Sequence, residues 1–397
     1  MPLLLDIASI VPPHDLVSYA ICPVCTTLFQ TDFTSPNYST HPFLREALKF
    51  YIEQGAGLET LVLPAFIAGR RNKRRYLEVG CGFGFGLDFA KRVFDLQIRG
   101  IDPSEFAKEG RRVLRLPIDT ENFGPHAARQ YGEQDAIAAV EVIEHFSDPM
   151  EFLRNARGHL AADGLLIITT PDANAITFGE EHPNLAVLTP GYHAVVFNED
   201  SLRRALQTVG FSDIQVATRG ATLFAVAGPG ASKIDFEGLF DPTSYRRYLE
   251  ERLRCDADPM LEIGLGYRLM KQLVNAGEYT AAEAALTRLA DAIWRRDIVD
   301  VLDPHKLLAS LPNSCTFHHF INNFPACLVG ILYFNGMIRL NKDEDRAAAI
   351  RCFYAAYLAA GLFRKAMFDH GIDDGETADL ERRAGEHMRL VLGWMLE

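Results

Sequence analysis

The chain has 397 residues, 48% of them hydrophobic and 23% charged, an ordinary globular composition with room for two or three domains. Forty Lys and Arg against 52 Asp and Glu leave a formal charge of −12, which argues against gripping a long nucleic-acid backbone, because that affinity comes from cations neutralising phosphates. The opening "MPLLLDIASIVPPHDL" lacks the basic lead and long apolar run of a signal peptide, and no window reaches the roughly 18 apolar residues of a membrane span. Seven cysteines without framework spacing complete the expectation of a cytoplasmic protein with reduced thiols.

Residues 1–55 carry prolines, aromatics, the pair "ICPVC" and a helical pattern in "HPFLREALKFYIEQ". Cys22 and Cys25 supply half of a four-ligand zinc site and no second pair follows, so two buried thiols are expected. Residues 56–229 alternate short apolar runs with helical patterns, the signature of parallel βαβ units. Strands are predicted at "RRYLEVG", "LQIRGID", "VLRLPI", "AIAAVEV", "LLIITT", "DIQVAT" and "TLFAVAG", with helices over 86–94, 104–111, 149–160 and 198–209. Only "RG" separates the last two strands, which therefore pair as an antiparallel hairpin.

From residue 230 to 397 the strand signal stops. Leu261, Leu265, Leu269 and Leu273 recur every four residues and mark one stripe of a helix. "NAGEYTAAEAALTRL" (275–289) resembles the second helix of a tetratricopeptide repeat, with a looser echo from Leu340, about two 34-residue periods on. An all-helical domain is expected there, as a repeat array or a plain bundle, and it is where a second copy or a protein partner would dock.

The stretch "YLEVGCGFGFGLDFAKRVF" (76–94) sets Gly80, Gly82, Gly84 and Gly86 between a strand and a helix. Such a turn lets backbone approach a ligand and aims the free N–H groups of a helix start at it. Asp102 closes the next strand about 20 residues later, where a carboxylate accepts hydrogen bonds from ribose hydroxyls. "EVIEHF" then puts Glu141 at a strand end with Glu144 and His145 three and four residues on, one side of a helical turn. Two carboxylates and an imidazole there suit a divalent ion.

Taken together, "LEVGCGFG", "GIDPS", "AIAAVEVIEHF", "ADGLLIITTPD" and "YHAVVFNEDSLRRALQTVGF" resemble, in order, the motifs of class I S-adenosylmethionine-dependent methyltransferases. The resemblance implies an α/β fold, a seven-stranded Rossmann-like sheet followed here by the C-terminal all-α domain. It implies S-adenosyl-L-methionine as cofactor, lined by Glu78, Gly80, Cys81, Gly82 and Gly84, with Asp102 on the ribose, Pro103 and Asp119 flanking the adenine, and Glu141 beside the pocket. The Glu-x-x-Glu-His spacing is similar to that of ubiquinone-pathway O-methyltransferases and of small-RNA 2′-O-methyltransferases, where it binds a divalent metal beside the acceptor hydroxyl. By that likeness Glu141, Glu144, His145 and His193 are the candidate metal ligands, and His145, His193 and Glu144 the candidate catalytic groups, either imidazole being able to act as general base without a metal.

O-methylation of a small molecule or sugar is the expected activity. "YAICPVCTTLFQ" resembles the trailing half of a zinc ribbon that precedes some bacterial methyltransferases of sugar pathways, which tilts the acceptor toward a sugar. An RNA ribose methyltransferase and a scaffold recruiting a partner through its helices are the alternatives. The loop 171–193 is long enough to act as a lid, with His193 in the mouth of the site and His182 on its surface.

Overall fold

The computed structural model describes residues 3–8, 16–40, 43–55, 57–125, 130–176, 185–255, 258–370, 372 and 374–396. Two compact units emerge, Met1–Pro42 with Gly57–Phe240 and Phe43–Ala56 with Asp241–Glu397. The first 42 residues thus group with the sheet, while the short helix after them belongs with the C-terminal helices. Divisions at 55/56 and 229/230 follow composition. The observed ones fall at 42/43, 56/57 and 240/241.

In chain order the strands are β1 (Leu3–Ala8), β2 (Leu16–Ile21), β3 (Leu28–Gln30), β4 (Arg75–Val79), β5 (Gln97–Ile101), β6 (Ile118–Asp119), β7 (Gln134–Val140), β8 (Leu160–Pro171), β9 (Val195–Val196), β10 (Ile214–Arg219) and β11 (Thr222–Ala227). Seven form one sheet in the order β10-β11-β8-β7-β4-β5-β6. β8, β7, β4, β5 and β6 run parallel, and β11 is antiparallel to both β8 and β10, as the two-residue "RG" connection requires. Successive strands leave β4 in one direction and β7 returns on its other side. That reversal opens a crevice at the carboxyl ends of β4 and β7, where α/β sheets bind ligands.

The sheet's apolar runs are buried on both faces. Leu77, Val79, Ile137, Ala139, Leu166 and Ile168 pack in one core with Phe152 and Leu153 of the helix Pro149–His159 and Leu202 and Leu206 of the helix Glu199–Thr208. One expectation is corrected. "VLRLPI" is not a strand, because the helix begun by the Ser104 cap continues through Leu114 and ends on left-handed Arg115, leaving only Ile118–Asp119 to pair. A second sheet, β1-β2-β3-β9, is antiparallel throughout and went unread in the sequence. Its strands are short, and β9 lies far along the chain from the other three.

The helical unit contains Leu44–Phe50, the π-turn Tyr51–Gly55 and the helices Pro242–Cys255, Pro259–Asn275, Tyr279–Asp297, Pro304–Ser310, Phe317–Asn323, Leu328–Asn341, Arg346–Phe368 and Glu376–Leu396. The Leu261, Leu265, Leu269 and Leu273 stripe is buried, and Gly277 takes a φ of 74° in the turn before the next helix. Among the described residues no single helix is long and apolar enough to cross a membrane.

Within this unit a buried carboxylate ties the segment 43–56 to the later helices. Glu53 is fully buried, accepts the Ala326 N–H at 2.7 Å and faces Arg296 at 2.5 Å. Arg296 also pairs with Asp297, which in turn receives Lys49 at 3.3 Å. Removing one member of a buried ion pair strands the other charge. Glu53→Ala is therefore expected to lower the unfolding free energy of the helical unit by about 3 kcal/mol in urea denaturation of the full chain; a loss below about 0.5 kcal/mol, the scale of an exposed pair, would contradict this role.

Candidate active site

The loop after β4 is shaped by glycines that no other residue replaces easily. Gly80, Gly82 and Gly84 have φ of 67°, 51° and 91°, in the left-handed region. At Gly80 a Cβ would also lie 2.3 Å from Cγ2 of Val142, two residues past the end of β7. Gly84 forms the N-terminal boundary of the helix Phe85–Phe94.

Asp102, buried at the end of β5, holds this loop. Its Oδ2 accepts the Gly82 N–H at 2.8 Å and its Oδ1 accepts the Ser104 N–H at 2.8 Å. The Gly80 N–H goes to the Ile101 carbonyl at 2.8 Å. Pro103, half-buried, leads from Asp102 to the Ser104 cap. Asp119 ends β6, accepts the Tyr131 O–H at 2.7 Å and pairs with Arg99 at 3.3 Å, while the Arg99 guanidinium lies over the Tyr131 ring at 4.6 Å. Tyr131 and Arg99 were not singled out in the sequence; Arg99 lies on the neighbouring strand, two positions before the residue opposite Asp119, a pairing that depends on a register the sequence does not display.

Glu78, on β4, is buried, with the Tyr76 O–H 3.5 Å from its Oε2. Burial, assisted by the Asp102 charge, pushes its carboxyl up to about 8. Cys81 is buried in the loop, and burial raises its thiol well above the ordinary range. It is an inert packing group rather than a nucleophile.

The second half of the crevice is built at the exit of β7. Glu141 has a φ of 54°, donates its N–H to the Thr169 carbonyl at 2.9 Å and accepts the Thr169 O–H at 2.8 Å. Burial moves its carboxyl up to about 7. The short 3₁₀ turn Ile143–His145 then brings Glu144 and His145 inward. Glu144 is fully buried; Oε2 accepts the Thr170 O–H at 2.9 Å, while Oε1 has no hydrogen-bond partner. Burial, reinforced by Glu141, pushes this carboxyl well above its usual range.

His145 and His193 complete the cluster. Their rings meet edge to face with centroids 4.9 Å apart. Nδ1 of His193 lies 2.8 Å from the Val187 carbonyl, and Nδ1 of His145 lies 3.0 Å from the Tyr192 carbonyl. A carbonyl only accepts, so both Nδ1 atoms carry hydrogen and both Nε2 atoms keep a lone pair. Burial lowers the imidazoles to about 4 for His145 and about 3 for His193, the latter also pressed down by its neighbour. Ligand atoms of Glu144, His145 and His193 all lie within 4.8 Å of one another. Of the four expected ligands, Glu141 is outside this group and turned to Thr169.

Residues 53–216 match a family model described as a methyltransferase domain. Across those residues the chain resembles that family. Relatives include the ubiquinone biosynthesis O-methyltransferase of Rhodopseudomonas palustris, 32% identical over 108 residues that make up 26% of this chain and 42% of that protein. A probable S-adenosylmethionine-dependent methyltransferase of Mycobacterium tuberculosis is 33% identical over 118 residues, 28% of this chain and 40% of the relative. The chain thus spans less than half the length of these curated relatives. A solved O-methyltransferase family protein from Burkholderia thailandensis has 13% identity and a TM-score of 0.39, covering 50% of this chain and 65% of its own.

Outside the residues of that match, the Cys22–Cys25 turn between β2 and β3 departs from expectation. Its thiols are half-exposed, because a two-strand turn has no layer above it. His182 and residues 177–184 of the long loop lie outside the described residues.

The Glu78 carboxyl makes a measurable prediction. Between its ordinary value of 4.5 and about 8, the folded protein keeps a proton that the unfolded chain has released. Stability should therefore fall as pH rises through that window and level off above it, by an amount of order a few kcal/mol. Glu78→Gln has no such proton to lose, so its thermal midpoint should vary less with pH across the same window. Identical slopes for the two proteins would contradict the assignment.

Proposed function

We propose that the protein transfers a methyl group from S-adenosylmethionine to a hydroxyl of a small molecule or sugar presented at Glu144, His145 and His193. The donor supplies a methyl already activated on a sulfonium, so the protein's share is orientation and a deprotonated acceptor. The glycine loop, Asp102 and Glu78 would line the donor; Asp102, already fixed by two N–H groups, has lone pairs left for ribose hydroxyls. Asp119 with Tyr131 and Arg99 would form the wall on the adenine side. Both relatives named above are methyltransferases by name, one of them an O-methyltransferase.

The observation that carries the acceptor half is the unpartnered Oε1 of Glu144, buried 3.9 Å from Nε2 of His145, with a ligand atom of His193 within 4.8 Å of the same group. A buried acceptor without a donor costs about 1–3 kcal/mol, more when charged. One carboxylate and two imidazoles are the donor set of an open three-ligand site for a borderline divalent ion. Such an ion, when bound, would lower the pKa of a hydroxyl placed on it. Nδ1 hydrogen bonds to the Val187 and Tyr192 carbonyls fix the ring planes and keep the ligating nitrogens free.

Turnover is expected to be lost on treatment with a chelator and restored by a divalent salt. Glu144→Ala should cut turnover by about 100-fold, at the upper end of what loss of metal-site partners costs, while S-adenosylhomocysteine binds with near-normal affinity. Methyl transfer to hydroxyl acceptors that survives both treatments would remove the ion and leave Nε2 of His145 as the proton acceptor.

A further inference from the structure

The N-terminal segment reaches the acceptor end of the crevice at two points, one on β3 and one in the turn beyond it, and neither is accounted for by the motifs read in the sequence. Gln30, the last residue of β3, is buried; its Oε1 accepts the Gly191 N–H at 3.2 Å and its own N–H goes to the Ala194 carbonyl at 2.9 Å. These two bonds bracket His193. The Ala194 N–H in turn reaches the Glu144 carbonyl at 2.7 Å, so the strand entry and the 3₁₀ turn are locked together.

Tyr38 is the second point. Its hydroxyl lies 3.1 Å from Nδ1 of His145 and its ring meets that imidazole edge-on, with centroids 5.9 Å apart. It also packs on the Tyr192 ring at 6.1 Å. Because Nδ1 must donate to the Tyr192 carbonyl, the phenol oxygen shares the same hydrogen as a second acceptor. Burial, reinforced by the nearby Tyr192, Glu144 and Asp102, keeps the phenol neutral. The oxygen is therefore a fixed dipole behind the imidazole. It holds the Nδ1–H tautomer and leaves Nε2 free, 3.9 Å from Oε1 of Glu144, in the group that His193 completes.

We propose that Tyr38 is a positioning residue for a divalent-ion site at Glu144, His145 and His193, with Gln30 performing the same service for the loop that carries His193. The N-terminal segment is then a working part of the acceptor site. This rests on the ion site proposed above. Groups that orient a ligating histidine from behind typically carry 10–100-fold in metal affinity, because they fix the ring plane and raise its basicity.

The test titrates zinc into the metal-stripped full chain and reads affinity by calorimetry, with S-adenosylhomocysteine affinity measured on the same samples. Tyr38→Phe keeps the ring contacts and removes only the oxygen. Its zinc affinity should fall about 10-fold with donor-product affinity unchanged, and Gln30→Ala should weaken zinc in the same direction. Equal zinc affinity in wild type and Tyr38→Phe overturns the inference and leaves the ion site standing. Parallel loss of zinc and donor product in both variants also overturns it, since the segment would then be a general support. A wild-type protein that takes up no zinc overturns the ion site and this inference together.

Discussion

One carboxylate organises the crevice. Asp102 commits Oδ2 to the Gly82 N–H and Oδ1 to the Ser104 N–H, so a single side chain joins the loop after β4, the end of β5 and the start of the next helix. Hydrogen bonds to an ionised acceptor are about twice as strong as neutral ones, which suits a device that must hold a glycine-rich loop in one conformation. The loop cannot be held this way with side chains at its turns. Gly80 leaves room for Val142, and Val142 follows Glu141, whose left-handed backbone is anchored on Thr169. A continuous chain of contacts thus runs from the glycine loop to the turn that carries Glu144 and His145.

At the acceptor side the same burial that shapes the pocket makes its ionisable groups uncomfortable. Glu144 resists losing its proton, His145 and His193 resist gaining one, and the Glu144 oxygen facing them has no donor. These are one cause with two signs, since desolvation disfavours whichever form is charged. A cation shared by one carboxylate and two neutral imidazoles relieves all three at once, which is why an ion rather than a bare base is the reading the geometry supports best.

The glycine loop was legible because its demands are local. Positive φ calls for glycine, and an acid at the end of the second strand follows a fixed spacing, so Gly80, Gly82, Gly84 and Asp102 stand out in one dimension. The strand and helix pattern of the seven-stranded sheet was readable for the same reason, its runs being buried on both faces. Illegible were features made by distant residues meeting. β3 pairs with β9 across more than half the sheet unit, Tyr38 reaches His145, and Tyr131 reaches Asp119. The spacing also assumed a helical turn at Glu141, whereas its own φ of 54° turns the side chain to Thr169 before the 3₁₀ turn begins.

The central claim is that the glycine loop and Asp102 cup an adenosyl donor. Calorimetric titration of the purified full chain with S-adenosylhomocysteine tests it most directly. The account requires saturable binding at one site per chain that weakens by at least about 10-fold in Asp102→Ala, equivalent to 1.4 kcal/mol. No binding by the wild-type chain, or equal binding by the variant, would contradict it.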